Sequence, residues 1–204
     1  MRDVRFKVGL VMQYPEYQLF EETVEKEIAY GPTNMQLPQS EIRDRVEYAA
    51  ELTGISKEML KKSPFELSGG QKRRVAIAGI IAMQPTTLIL DEPTAGLDPG
   101  GRDEILYKIN DLHKRMNITV IMVSHSMEDI AKMADEIIVM NHGEIAMHGT
   151  PKEVFSRSDE LLDMGLDLPQ VTKICRELKR SGVPLSDGIY TVEDAFEEIK
   201  RLKK

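Results

Sequence analysis

The 204-residue chain is predicted to be an α/β protein built on a mostly parallel sheet. Short apolar runs suited to strands occur at residues 88–90, 118–123 and 136–140, and segments with helical periodicity separate them. The runs at residues 88–90 and 118–123 are continuously apolar, as expected of strands that helices cover on both faces. Because strands that alternate with helices build parallel sheets, these observations together predict the fold class.

The composition excludes several classes of protein. With 41% hydrophobic and 30% charged residues, the chain has the make-up of a globular protein rather than a disordered one. The net charge of −7 argues against a nucleic-acid partner bound through a broad basic surface. The single cysteine, Cys175, fits a reducing compartment. No apolar run reaches the roughly 18 residues of a membrane-spanning helix, so we expect any membrane contact to be peripheral.

The first element is predicted to be a strand over residues 4–12, which enters the sheet at once. Gln13 follows it, either as a simple polar exit or as an amide that ligates a metal or orients water. Pro15 ends the strand. Tyr17, Leu19 and Phe20 then place apolar bulk on a loop, which predicts an interaction surface or a hinge.

Residues 22–62 have helical periodicity and form a polar insert. Thr23 is predicted to cap its first helix and Ser40 a later one, since a hydroxyl at this position accepts a backbone N–H. Gly54 is the predicted C-terminal stop of that later helix.

Residues 67–71, LSGGQ, open the next helix, with Ser68 as its cap. Gly69 and Gly70 occupy the first turn, where helix propensity disfavours them but where another group can approach the backbone closely. Free N–H groups at a helix start attract phosphate, so the segment is either an anion site or an ordinary loop-to-helix joint. The helix turns apolar after its basic start and is predicted to be buried, ending at Pro85.

Two acids follow the apolar run at residues 88–90, namely Asp91 and Glu92. Ligands bind at the carboxyl ends of strands in open α/β sheets, so these acids either hold a metal and handle a water molecule or form a plain polar turn. His125, just past the run at residues 118–123, falls at the same predicted edge and is either a catalyst or a bystander.

Helices are predicted over residues 102–116 and 126–134, and a hairpin turns at Gly143. From residue 151 the chain reads as a small helical appendage with a capping box at residues 191–194. Two stripes of this appendage are predicted to face inward: Val171, Ile174, Cys175 and Leu178; and Ala195, Phe196, Ile199 and Leu202.

Five segments, in this order, resemble the motifs of an ABC ATPase. They are Gln13 as Q-loop, residues 67–71 as signature motif, 88–92 as Walker B strand, 95–98 as D-loop and His125 as switch histidine. The stretch at residues 9–32 and the tail are similar to the energy-coupling factor (ECF) transporter ATPases. The resemblance implies a partial P-loop NTPase core at residues 1–14 and 84–150, an α-helical insert at 15–83 and a C-terminal helical domain at 151–204.

The resemblance also implies roles for residues that bind ATP and Mg²⁺. Asp91 would hold Mg²⁺ through water, and Gln13 would link the metal to the helical insert. Glu92 would orient and deprotonate the attacking water, and His125 would contact the γ-phosphate. The remaining nucleotide-binding residues, which serve ATP on the opposite subunit or cross that interface, would be Ser68, Gly69, Gly70, Gln71 and Asp98.

The implied protein is the ATPase subunit of an importer of a metal ion or vitamin, at the cytoplasmic face of the membrane. Its partners would be a second ATPase subunit, identical or different, a transmembrane T component and an S component that selects the substrate. The chain lacks a GxxxxGK[ST] P-loop, so we expect it to be an N-terminally truncated ATPase that is inactive and loosely folded alone. The alternatives are a soluble ABC ATPase without transport and a non-catalytic binding fragment.

Overall fold

The computed structural model describes residues 2–202. The chain divides into two compact units, Met1–Val123 and Ser124–Lys204. The functional domains expected from the sequence have other boundaries and stay a prediction.

A three-stranded parallel sheet organises the first unit. Its strands are β1 (Val8–Val11), β2 (Thr87–Asp91) and β3 (Thr119–Val123), in the order β1-β2-β3. Leu88 and Leu90 of the central strand are fully buried, but Ile121 and Val123 of β3 are about half exposed, so the prediction that helices cover both faces is wrong for the run at residues 118–123. The run at residues 136–140 lies outside this sheet. The three strands are nevertheless parallel, with helices between them in the chain, so the parallel α/β class is confirmed.

Helices of the first unit precede β1, build the insert between β1 and β2, and connect β2 to β3. They are α1 (Arg2–Lys7), α2 (Val24–Asn34), α3 (Gln39–Thr53), α4 (Lys57–Leu60), α5 (Gly69–Ile81) and α6 (Pro99–Met116), with 3₁₀ helices at Pro15–Gln18 and Pro64–Glu66. Helices α2, α3 and α5 pack against one another through small and branched side chains. Ile28, Ala49, Val75 and Ala78 are each completely buried there, so the insert has its own apolar core.

Three predicted helix ends are confirmed. The Thr23 hydroxyl accepts the N–H of Lys26 at the start of α2, Gly54 ends α3 with a φ of 71°, and Ser68 caps α5. The predicted cap at Ser40 is wrong. Helix α3 begins at Gln39, so Ser40 already lies inside it, and the Pro38 carbonyl accepts the first helical hydrogen bond, from Ile42.

Two predicted boundaries are also wrong. Residues 4–7 are helical and belong to α1, because four residues of alternation are too few to fix a strand and the pairing with β2 begins at Val8. Helix α5 ends at Ile81 rather than at Pro85, since the chain leaves helical geometry at Gln84, where φ is 53°.

The second unit combines a hairpin with short helices. Its elements are α7 (Met127–Met133), β4 (Ile137–Asn141), β5 (Glu144–Gly149), α8 (Pro151–Ser156), α9 (Ser158–Asp163), α10 (Gln170–Arg180) and α11 (Val192–Leu202). The antiparallel strands β4 and β5 are joined through His142 and Gly143, both with positive φ, as a tight two-residue hairpin turn requires. The predicted hairpin is thus confirmed.

Two small cores hold this unit together. Phe155, 1% exposed, stacks on Tyr190 in one core, and Cys175 lies in the other. The inward stripes predicted for the tail are wrong at several positions, since Ile174 is 59% and Phe196 62% exposed and Ile199 and Leu202 are exposed as well. Helix α11 contributes Ala195 to the core around Cys175, so most of its apolar stripe stays in solvent.

No helix within residues 2–202 combines the length and the apolar character that crossing a membrane demands.

Candidate nucleotide site

The carboxyl ends of the parallel strands bring three of the predicted residues to one edge of the sheet. Asp91 is the last residue of β2, and Glu92 follows it directly. Gln13 comes two residues after Val11, which pairs with Leu90 next to Asp91. Because all three strands point the same way, this edge is where an α/β sheet binds its ligands.

The backbone of Glu92 has an uncommon conformation. Its φ is 48°, in the left-handed region that non-glycine residues seldom adopt. Two hydrogen bonds hold it there: the Glu92 N–H donates to the Val123 carbonyl at 2.9 Å, and the Glu92 carbonyl accepts from the Ala95 N–H at 3.1 Å. Backbone strain that surrounding hydrogen bonds hold in place is common at functional sites. The turn therefore fixes the position from which the Glu92 side chain extends.

A buried arginine supports this turn from the other side. Arg73 of α5 is 3% exposed, and its Nη1 donates to the carbonyls of Pro93 at 3.1 Å and Ala95 at 3.0 Å. Its Nε and Nη2 donate to the two carboxylate oxygens of Glu16, both at 3.3 Å. No sequence motif pointed to Arg73. The available signal was its spacing, since Arg73 lies one helical turn before the buried Ile77 and a charge at a core position requires partners.

The signature segment forms an open helix start. Ser68 and Gln71 form a capping box, in which the Gln71 N–H donates to the Ser68 hydroxyl and the Ser68 N–H donates to the Gln71 side-chain oxygen. A side chain at Gly69 or Gly70 would meet no atom within 4 Å, so their backbone is accessible. Accessible N–H groups at the positive end of a helix suit an anion such as phosphate.

Asp98 caps the next helix. Its Oδ1 accepts the N–H of Gly101 at 2.7 Å at the start of α6. The Asp98 side chain is exposed, so it is accessible to a second subunit while it fixes this helix end.

The edge offers oxygen donors suited to Mg²⁺. Within residues 2–202 no group of three or more acidic, histidine or cysteine side chains converges on a metal site. Mg²⁺ needs no such cage beside a nucleotide, because it keeps waters and binds one or two carboxylates together with phosphate oxygens. The half-buried carboxylate of Asp91 and the exposed amide of Gln13 fit that donor set.

His125 belongs to the second unit. It is exposed and lies just before Ser126, whose hydroxyl accepts the Asp129 N–H and caps α7. The structure therefore gathers Gln13, Asp91 and Glu92 at one sheet edge of the first unit, whereas His125 stands at a helix start of the other unit.

A cleft of 780 Å³ opens in the first unit beside the Pro15–Gln18 helix. The rings of Phe20 and Tyr30 meet edge to face at its wall, with centroids 4.9 Å apart. Both are about half exposed, at 57% and 48%. Of the apolar residues predicted to form an interaction surface or a hinge, Leu19 and Phe20 line this cleft, whereas Tyr17 lies outside it and is exposed.

Comparison with known proteins identifies the family. Residues 1–95 match the family described as ABC transporter. The energy-coupling factor transporter ATP-binding protein EcfA2 of Caldanaerobacter subterraneus subsp. tengcongensis is 59% identical over 201 residues, which are 98% of this chain and 70% of that protein. EcfA2 of Clostridioides difficile is 57% identical over 204 residues, covering 99% of this chain and 71% of that protein.

A solved structure agrees with these matches. It is described as cbiO1 from Clostridium perfringens, part of the ABC transporter complex cbiONQ. It superimposes with a TM-score of 0.72 at 40% identity, covering 86% of this chain and 69% of that chain. The chain therefore belongs to the ATP-binding proteins of energy-coupling factor transporters.

Proposed function

We propose that the intact protein is the ATP-binding and ATP-hydrolysing subunit of an ECF importer, which couples hydrolysis to the uptake of a metal ion or vitamin. The observation that carries the proposal is the turn after β2, where Asp91 ends a buried parallel strand and two hydrogen bonds fix the strained backbone of Glu92. The family membership supports the same assignment.

In this proposal each site residue has a defined task. Asp91 and Gln13 would hold Mg²⁺, and Gln13 would link it to the helical insert. When bound, Mg²⁺ neutralises charge on the phosphate oxygens. His125 contacts the γ-phosphate.

Glu92 performs the proton transfer. It orients the attacking water and accepts its proton as the water oxygen bonds to the γ-phosphorus. The bond from that phosphorus to the β–γ bridging oxygen breaks, and ADP leaves with the electron pair. Because phosphoryl transfer requires little covalent help from protein, catalysis consists of positioning and charge stabilisation.

The exposed helix start at Ser68 serves the opposite subunit. Ser68, Gly69 and Gly70 hold the γ-phosphate of ATP bound across a dimer interface, Gln71 keeps Ser68 in place through the capping box, and Asp98 crosses the same interface. The open space around both glycines supports this role. The partner subunit is a second ATPase, identical or different.

The helical insert, which contributes Phe20 and Tyr30 to the cleft, docks on the transmembrane T component at the cytoplasmic face of the membrane, and the S component chooses the substrate. A tagged chain drawn from detergent-solubilised membranes tests the assembly. We expect integral membrane partners and an ATPase partner to co-purify. Recovery without any integral membrane protein would instead favour a soluble ATPase.

We propose further that the 204 residues alone bind Mg-ATP weakly and do not hydrolyse it. The sequence contains no Gly-Lys dipeptide and so no P-loop to wrap the phosphates. Within residues 2–202, β3 is an edge strand of the three-stranded sheet, and its Ile121 and Val123 are about half exposed. Calorimetric titration of the chain, together with thermal unfolding of the same sample, tests this. Micromolar binding of Mg-ATP contradicts the proposal, and cooperative unfolding without nucleotide binding favours a non-catalytic binding module.

A further inference from the structure

We propose that Arg73 is a positioning residue, which ties the turn that follows Glu92 to the 3₁₀ helix that follows Gln13. Its guanidinium donates to both carboxylate oxygens of Glu16 within that 3₁₀ helix. The same group donates to the carbonyls of Pro93 and Ala95 in the turn. One buried side chain thus joins the segments that carry Gln13 and Glu92, and this inference rests on the proposed ATPase function.

Burial makes this connection stiff. The side chain of Arg73 is 3% exposed and that of Glu16 is 16% exposed, so water replaces lost contacts poorly. Removal of either partner of a buried ion pair strongly destabilises the folded protein, because the other charge stays buried without a partner. The planar guanidinium satisfies a carboxylate and two carbonyls at once, which the point charge of a lysine cannot match.

The turn depends on the atoms that Arg73 holds. Ala95 donates its N–H to the Glu92 carbonyl and offers its own carbonyl to Arg73, so it closes the turn and anchors it. Gly96 of the same segment lies beside Tyr14, since a Cβ added to Gly96 would come within 3.6 Å of the Tyr14 ring. Displacement of the 3₁₀ helix therefore reaches the backbone that sets the Glu92 carboxylate.

The 3₁₀ helix is also one wall of the cleft. Pro15 and Gln18 line it, together with Leu19 and Phe20 directly after the helix. The Arg73–Glu16 pair thus lies between this wall of the cleft and the turn after β2.

Hydrogen exchange of the chain itself, without nucleotide or partner, tests the connection. The reporters are the amides of Ala95 and Leu97, which donate within the turn to Glu92 and Thr94. We expect Glu16→Gln to speed their exchange about tenfold although Glu16 touches neither amide, because a charge-assisted contact is lost.

Matched variants separate this effect from general loosening. Arg73→Lys should speed exchange of the same amides. The double variant Glu16→Gln/Arg73→Met leaves no unpaired buried charge, and its amide exchange rates should match those of Arg73→Met alone. Arg74→Met is the control, since the neighbouring Arg74 pairs with Glu104 and should leave the turn unchanged. Unprotected turn amides in the wild type, or equal effects of Arg74→Met and Glu16→Gln, overturn the proposal.

Turnover in the assembled transporter gives the second readout. We expect Glu16→Gln to lower kcat about tenfold with little change in the KM for ATP, because the turn rather than the nucleotide contacts is disturbed. A changed KM with unchanged kcat overturns the positioning role. A wild-type complex without ATPase activity would contradict the proposed function instead, and the exchange experiment would still decide the connection.

Discussion

Replacing Ser68 separates the helix-capping role of this residue from its proposed contact with phosphate. Ser68→Ala removes the acceptor of the Gln71 N–H. Loss of an N-cap costs about 0.5–2 kcal/mol, and we expect the low end because this hydrogen bond is 3.4 Å long. The corresponding fall in Tm is roughly 2–4 °C for each kcal/mol in a chain of this length.

Ser68→Asp should preserve the stability of the protein but abolish its activity. Aspartate caps a helix as well as serine does, and its charge favours the N-terminal end of α5. A carboxylate about 4 Å from a phosphate oxygen near a protein surface adds roughly 4 kcal/mol of repulsion, or about a thousandfold in transition-state binding. Ser68→Asn is the matched control, because it caps without charge.

The assays are thermal unfolding of each variant and ATP turnover of the assembled transporter. We expect Ser68→Asp to keep the wild-type Tm and lose turnover, whereas Ser68→Asn keeps both far better. Turnover of Ser68→Asp within a few-fold of the wild type would refute the anion site at residues 68–70.

Three further predictions concern stability and reactivity. Burial raises the pKa of the Cys175 thiol, so little reactive thiolate is present at neutral pH. Alkylation of Cys175 by iodoacetamide, followed by mass spectrometry, should therefore be slower than that of an exposed thiol by about tenfold or more. Leu90→Ala should lower the free energy of unfolding by about 2–5 kcal/mol in urea titrations, whereas Ile121→Ala, at a half-exposed position of β3, should cost far less. Hydrogen bonds from the Thr150 N–H and hydroxyl lower the pKa of the Glu153 carboxyl, because they stabilise its charged form. The cap of α8 should therefore hold above the ordinary pKa of glutamate and be lost as the pH falls through the lowered value. A carboxyl NMR titration in which the pKa of Glu153 is not lowered would contradict this.

The candidate site was largely predictable because its signals are local. Asp91 and Glu92 interrupt an apolar run, and Ser68 precedes two glycines where a helix must begin. Each signal occupies a few consecutive residues, so strand ends and helix caps follow from the chain itself. The roles of these residues in catalysis remain predictions.

Arg73 shows where this reasoning stops. Its partner Glu16 lies 57 residues away, and the carbonyls it binds belong to a third segment. Tertiary packing alone brings these groups together. The prediction that Phe196 is buried failed for a different reason. Helical periodicity predicts an apolar face on α11 but does not tell whether the fold supplies anything to cover that face, and Phe196 is exposed.

The most direct test of the account is the turnover of Mg-ATP by the purified transporter with Glu92→Gln in this subunit. The substitution keeps the shape of the side chain and removes the carboxylate that accepts the proton. We predict turnover about 10²- to 10⁴-fold below the wild type, with the affinity for ATP nearly unchanged. Near-normal turnover with intact nucleotide binding would contradict the assignment of Glu92 as the catalytic base.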